Sequence, residues 1–86
     1  MGYRVLLAPG AVRQLDRIPP RFASAIVEFL FGALADNTRR VGKPLRNEFE
    51  GLHGARRGDY RVIYRIHDHH VLVIRIDHRA SAYRRP

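Results

Sequence analysis

Three strand-forming runs, 53–57, 60–67 and 71–77, are joined only by Gly58-Asp59 and by Asp68-His69-His70. Links of two or three residues cannot carry a crossover, so the runs must pair as antiparallel hairpins. Everything before them is then available to cover the sheet they form. Residues 3–8 alternate, with Tyr3, Val5 and Leu7 on one side, and read as a further short strand closed by Pro9-Gly10. Residues 11–18 place Val12, Leu15 and Ile18 on the buried stripe of a brief helix; Pro19-Pro20 stops it and opens a second helix over 21–34. The expected order is strand, two helices, three strands. That is an α+β domain with both helices packed on one face of a small, mainly antiparallel sheet.

In the second helix Phe22, Ile26, Phe29, Leu30 and Ala33 form the expected core stripe, and Ala23, Val27 and Leu34 widen it. So broad an arc suits packing on both the sheet and the first helix; a docking surface for a partner is the alternative. Residues 36–44 read as a polar loop, after which Leu45, Phe49 and Leu52 tack the chain back onto the core. At 86 residues the chain fills one core, so 1–86 is read as a single domain. It has no cysteine, which excludes disulfides, thiolate metal sites and a cysteine nucleophile. The apolar start is too short for a signal-peptide core or a membrane span, and the expectation is a cytoplasmic protein with no membrane partner.

Charge is unevenly spread. The chain carries sixteen basic and eight acidic residues, a net +8, and twelve of the basic residues fall within 39–86. Arginine outnumbers lysine fifteen to one, which an arginine-rich genome explains in part, but that bias does not explain the asymmetry. A basic half of this kind implies an anionic partner and salt-sensitive association.

Alternation along 60–67 sets Tyr60, Val62, Tyr64 and Ile66 toward the core and Arg61, Ile63, Arg65 and His67 opposite. Along 71–77, Leu72, Ile74 and Ile76 are expected inward, leaving Val71, Val73, Arg75 and Asp77 outward, with Arg79 continuing that parity. Arg61, Arg65, Arg75 and Arg79 then share the face that the helices leave open. Guanidinium forks held by strands match phosphate oxygens two at a time, so the face points to RNA or another polyphosphate. Cross-strand pairing of Arg with Asp is the competing use of such a face, and one aspartate, Asp77, is too few for four arginines. Histidines at 67, 69 and 70 with Asp68 resemble a metal-ligand cluster in composition only, since a hairpin tip splays ligands apart; no metal and no cofactor are expected.

Gly42-Lys43-Pro44-Leu45, Gly51-Leu52-His53-Gly54, the run Gly58-Asp59-Tyr60-Arg61-Val62-Ile63-Tyr64-Arg65-Ile66, then Asp77-His78-Arg79 and Tyr83-Arg84 occur in this order after two helices. In that order and spacing the chain resembles the RelE/ParE superfamily of bacterial toxins, and in particular the RelE-type messenger-RNA endonucleases. The resemblance implies a type II toxin that enters the ribosomal A site and cuts messenger RNA by attack of a ribose 2′-OH on the adjacent phosphate. It also implies an acidic, RelB-like cognate antitoxin that holds the toxin inactive. On this resemblance Arg61 grips the scissile phosphate, Arg79 stabilises developing charge, and Tyr83 stacks or takes part in proton transfer. His78, Arg57 and Lys43 are candidates for acid, base or charge stabiliser, with His53 a further candidate base. Arg56, Arg65, Arg75 and Arg84 are candidates for RNA contact. The chain departs from the family in carrying Arg56 and Arg57 where relatives place lysines, and a guanidinium is a poor base. Two alternatives stay open: a ParE-like inhibitor of DNA gyrase, and a catalytically inactive relative that binds RNA or antitoxin.

Overall fold

A computed structural model describes residues 2–79. Its elements are β1 (Arg4–Leu7), α1 (Pro9–Arg17), α2 (Pro20–Phe29), β2 (Lys43–Pro44), β3 (His53–Arg57), β4 (Tyr60–Ile66) and β5 (His70–His78). They make one five-stranded sheet in the order β1-β5-β4-β3-β2. Every pairing is antiparallel except β1 with β5, which is parallel. The α+β architecture expected from the spacing of the runs is the one observed. Among the described residues, no helix is long and apolar enough to cross a membrane.

Both helices begin on proline, where the missing N–H would have had no intrahelical partner. Pro9 thus opens α1 rather than merely closing β1. Ile18, preceding Pro19, is forced into extended backbone and ends α1. The buried stripe of α1 runs through Ala11 and Ile18, while Val12, expected inside, is 44% exposed. The helix starts two residues earlier than its apolar spacing implies, and the resulting face carries Ala11, Gln14, Leu15 and Ile18.

In α2 the core stripe is Ile26, Leu30 and Leu34, and Phe22, expected inside, lies 42% exposed. A turn of π-helix over Leu30–Leu34 continues α2 and accommodates one extra residue. That insertion rotates Leu34 inward and leaves Ala33, expected inside, outside. Thr38 closes the helical segment, its Oγ1 donating to the Leu34 carbonyl at 2.7 Å. The Thr38 carbonyl in turn accepts the Tyr64 hydroxyl at 2.9 Å, tying the end of the helix to the central strand.

The helices bury Ala55, Val62, Tyr64, Val71, Val73 and Ile76 against Ala11, Ile18, Ile26, Leu30 and Leu34. For β4 the expected inward set is correct. For β5 it is half wrong: Val71 and Val73 face the core in place of Leu72 and Ile74, whereas Ile76 is inside as expected. The cause is a bulge. Tyr64 pairs with Val73 and the adjacent Ile63 with Arg75, so Ile74 has no partner and the parity of β5 inverts around it.

Gly58-Asp59 makes the tight β3–β4 turn. Gly58 has φ +62° and Asp59 is not in the positive-φ region, the pattern of a type II′ hairpin, which needs glycine at its first central position. The stretch expected to be loop through Pro44 contains β2, whose Lys43 and Pro44 pair with Gly54 and His53.

Candidate nucleic-acid interface

Residues paired across a sheet share a face, so the registers define rows. On the side away from the helices one row runs Lys43, Gly54, Ile63, Arg75, and the next runs Arg56, Arg61, Asp77. Further along, Arg65 shares a row with Leu72 and Leu6, and Arg4 pairs with His70. Six cationic side chains therefore lie on this face, and among the sheet-paired residues described there its one carboxylate is Asp77. Ile63 forms its floor at 2% exposure, outside the core beneath the helices.

Arg61 stands at the centre of this surface. Its side chain lies over Gly54: a methyl group at that position would sit 3.2 Å from Nε and 3.5 Å from one terminal nitrogen of Arg61, and 3.1 Å from Cδ2 of Leu45. Gly54 leaves room for the guanidinium to lie over β3, with Lys43 in the row behind it. On the other flank Arg56 is the ladder partner of Arg61. Like charges directly opposed destabilise a sheet, a cost that an anion lying across both would reverse.

Asp77 is the ladder partner of Arg61 on β5, yet it is turned elsewhere. Its Oδ2 takes an ion pair from Arg75 at 3.0 Å, and its Oδ1 accepts from Nε2 of Gln14 at 2.8 Å. Arg61 has no ion pair among the described residues. Arg79 follows the end of β5, and its N–H donates to the Asp59 carbonyl at 2.7 Å, extending the β4–β5 ladder by one step. Its side chain is 71% exposed, with the guanidinium 3.8 Å from the Asp59 carboxylate. The helices cover neither Arg61 nor Arg79.

The remaining candidates separate. Arg57 and His78 both pair with Tyr60 and so fall on the helix side, where they border a cavity of about 270 Å³ with Phe22, Ile26 and Asp59. The His78 ring meets Tyr60 edge-on at 5.2 Å. His53 is also on the helix side, stacked on Tyr64 at 5.7 Å with its Nδ1 buried. Burial first, and then the Arg39 charge, push its pKa below the ordinary imidazole value, which keeps the ring neutral. These three do not join Arg61. Tyr83 and Arg84 lie outside the described residues.

Gln14 was not among the candidates. Its Oε1 accepts the Ile76 N–H at 2.8 Å while its Nε2 holds Asp77, so it serves the edge of β5 where β1 has ended. The signal was a polar side chain three residues after Ala11 and four before Ile18, on the inward stripe of a short helix.

The family model of the ParE toxin of the type II toxin–antitoxin system, parDE, matches residues 5–83. Toxin RelE of Mycobacterium tuberculosis is 54% identical over 84 residues, spanning 95% of this chain and 87% of its own length. Toxin RelG of the same organism is 52% identical over 87 residues, covering 99% of this chain and all of its own. The toxin–antitoxin complex RelBE2 of Mycobacterium tuberculosis contains a chain of the same fold, with TM-score 0.88 at 48% identity over 91% of this chain and 99% of that one. The chain belongs to the ParE toxin family of type II toxin–antitoxin systems, within the RelE/ParE superfamily, and is a toxin of the RelE type.

Proposed function

We propose that this toxin is a ribosome-dependent endoribonuclease that cuts messenger RNA in the A site, using the open cationic face to hold the scissile phosphodiester. The observation that carries the reading is the placement of Arg61, which shares its row with Arg56, stands next to the row of Lys43 and makes no ion pair among the described residues. Attack by the 2′-OH on the neighbouring phosphorus breaks the P–O5′ bond and leaves a 2′,3′-cyclic phosphate. The enzyme must hold the in-line geometry and neutralise the charge that builds on the phosphoryl oxygens. Arg61 supplies the planar fork for those oxygens, and Lys43 adds an ammonium on the same face. Arg79 stabilises charge at the leaving oxygen, and Tyr83 stacks on a base or passes a proton. Arg56, Arg65, Arg75 and Arg84 follow the flanking backbone, each phosphate contact adding to the salt dependence of binding. No metal or cofactor is invoked. Arg57 and His78 take no part in gripping the phosphate, because the sheet separates them from it.

The same reading assigns the toxin an acidic antitoxin, RelB-like in character. Relatives are found in toxin–antitoxin complexes. The exposed Val27 on α2 and Phe31 in the π-helical turn that continues it offer apolar purchase to an amphipathic partner whose acidic residues meet the basic face.

The test is in vitro translation with purified toxin, followed by primer extension across the message and analysis of the new ends. Cuts within ribosome-bound codons that leave 2′,3′-cyclic phosphate support the reading. The match to a parDE toxin model favours one second reading, inhibition of DNA gyrase. Loss of gyrase supercoiling with intact message would select it.

A further inference from the structure

We infer that Gln14 is a positioning residue for the cationic face: by fixing the Asp77 carboxylate from the side, it keeps the opposing Arg61 free to take phosphate. The inference rests on the nuclease reading above and adds to it a residue from α1, an element outside the sheet.

Asp77 and Arg61 are ladder partners, close enough for an ion pair by ordinary side-chain reach. A carboxylate at 5% exposure has few routes to hydration and must find donors within the protein. Arg61 is the donor its position offers, and an Asp77–Arg61 pair would cancel the charge at the centre of the site. Two other contacts take its place, Gln14 Nε2 on Oδ1 and Arg75 on Oδ2, and no ion pair joins Asp77 to Arg61.

The amide of Gln14 can be read in one orientation only. A backbone N–H from Ile76 needs an oxygen, and a carboxylate needs an N–H, so Oε1 faces Ile76 and Nε2 faces Asp77. The sheet edge thereby sets the direction in which Gln14 donates. Glutamate would satisfy Ile76 equally well but would confront Asp77 with a second carboxylate. Leucine would leave Asp77 short of a donor without adding charge. In both cases Asp77 keeps Arg75 and can turn to its ladder partner, Arg61, for the donor it has lost.

The experiment measures binding of a short single-stranded RNA, 2′-O-methylated to prevent cleavage, and cleavage of translated message, for Gln14→Glu and Gln14→Leu, each alone and combined with Asp77→Asn. Both single variants should weaken RNA binding and cleavage roughly tenfold, the scale of neutralising one charged phosphate contact. Adding Asp77→Asn should restore each to within about threefold of wild type, since it removes the charge that captures Arg61. In the Gln14→Glu pair it also rebuilds the side-chain hydrogen bond with donor and acceptor exchanged. The Gln14→Leu pair is the discriminating one: a merely structural role gives no rescue there, because Asp77→Asn repairs neither the lost side-chain bond nor the Ile76 N–H. Wild-type binding by Gln14→Leu, or double variants as weak as the singles, would overturn the inference. Arg61→Ala, run beside them, separates the two levels. If it binds and cleaves like wild type, the nuclease reading falls first; if it is impaired and the Gln14 variants are not, only the positioning role falls.

Discussion

The Arg61 guanidinium lies across the backbone of Gly54, and the open space above that one glycine decides where the side chain rests. Gly54 is inside β3, where glycine usually weakens a strand for want of a side chain. Here its bareness gives the arginine room to rest.

Gly54→Ala should therefore separate activity from stability. The added methyl meets Cδ2 of Leu45 at 3.1 Å and Nε of Arg61 at 3.2 Å, both in flexible side chains that can shift by a few tenths of an ångström at little cost. Alanine in a strand also lowers the entropy of the unfolded chain, worth up to about 1 kcal/mol. The expected result is an unchanged or slightly raised melting temperature with cleavage reduced roughly tenfold to a hundredfold, as misplacement of a catalytic group requires. Thermal unfolding and cleavage assays on one preparation check it.

Gly42→Ala should do the reverse. A methyl group there would overlap the Tyr64 hydroxyl and lie 2.8 Å from the Gly54 carbonyl oxygen, and the backbone cannot yield as a side chain can. The buried bond from Tyr64 to the Thr38 carbonyl is lost as well. Overpacking together with a broken buried hydrogen bond should cost about 2–4 kcal/mol. Urea denaturation checks this; a midpoint equal to wild type would contradict it.

Acid should destabilise the fold through His53. Burial and Arg39 lower its pKa in the folded protein below the ordinary imidazole value of 6.5, so the unfolded chain binds its proton more readily. Stability from this group is complete above pH 6.5 and falls as pH drops toward the folded value, where the loss levels off. The expected result is an unfolding midpoint that declines from neutral pH to pH 5 in wild type and declines less in His53→Gln. Equal slopes for the two chains would contradict it.

The contact between Arg79 and Asp59 should contribute almost nothing to stability. Both groups are largely exposed and 3.8 Å apart, and such pairs are typically worth less than about 1 kcal/mol. Asp59→Asn should leave the melting temperature unchanged while tightening RNA binding, because it releases Arg79. A fluorescence titration at two salt concentrations measures the second effect.

The sequence made the architecture legible because two-residue and three-residue links leave the last strands a single mode of pairing. It made the outward faces of Arg61 and Arg65 legible because β4 keeps its alternation throughout. The interior of β5 was not legible. A bulge at Ile74 leaves no mark in hydrophobic periodicity, since Val71, Leu72, Val73 and Ile74 suit either face. The π-helical turn at Leu30–Leu34 hid Leu34 in the same way, within a run apolar on several sides. Arg57 and His78 are candidates by family resemblance and by the chemistry of imidazole, neither of which tells the two faces of a sheet apart; their ladder partner, Tyr60, puts them on the side opposite Arg61. Lys43 reads as loop in the sequence because two residues of edge strand carry no period. Its pairing with Gly54 is a long-range fact.

The central claim is that Arg61 meets phosphate on the open face, and single-turnover cleavage of ribosome-bound message by Arg61→Ala and Arg61→Lys tests it most directly. The account predicts a loss of roughly a hundredfold or more for alanine and only partial recovery with lysine, which keeps the charge but not the fork, with both chains as stable as wild type. Wild-type cleavage by Arg61→Ala would contradict the account.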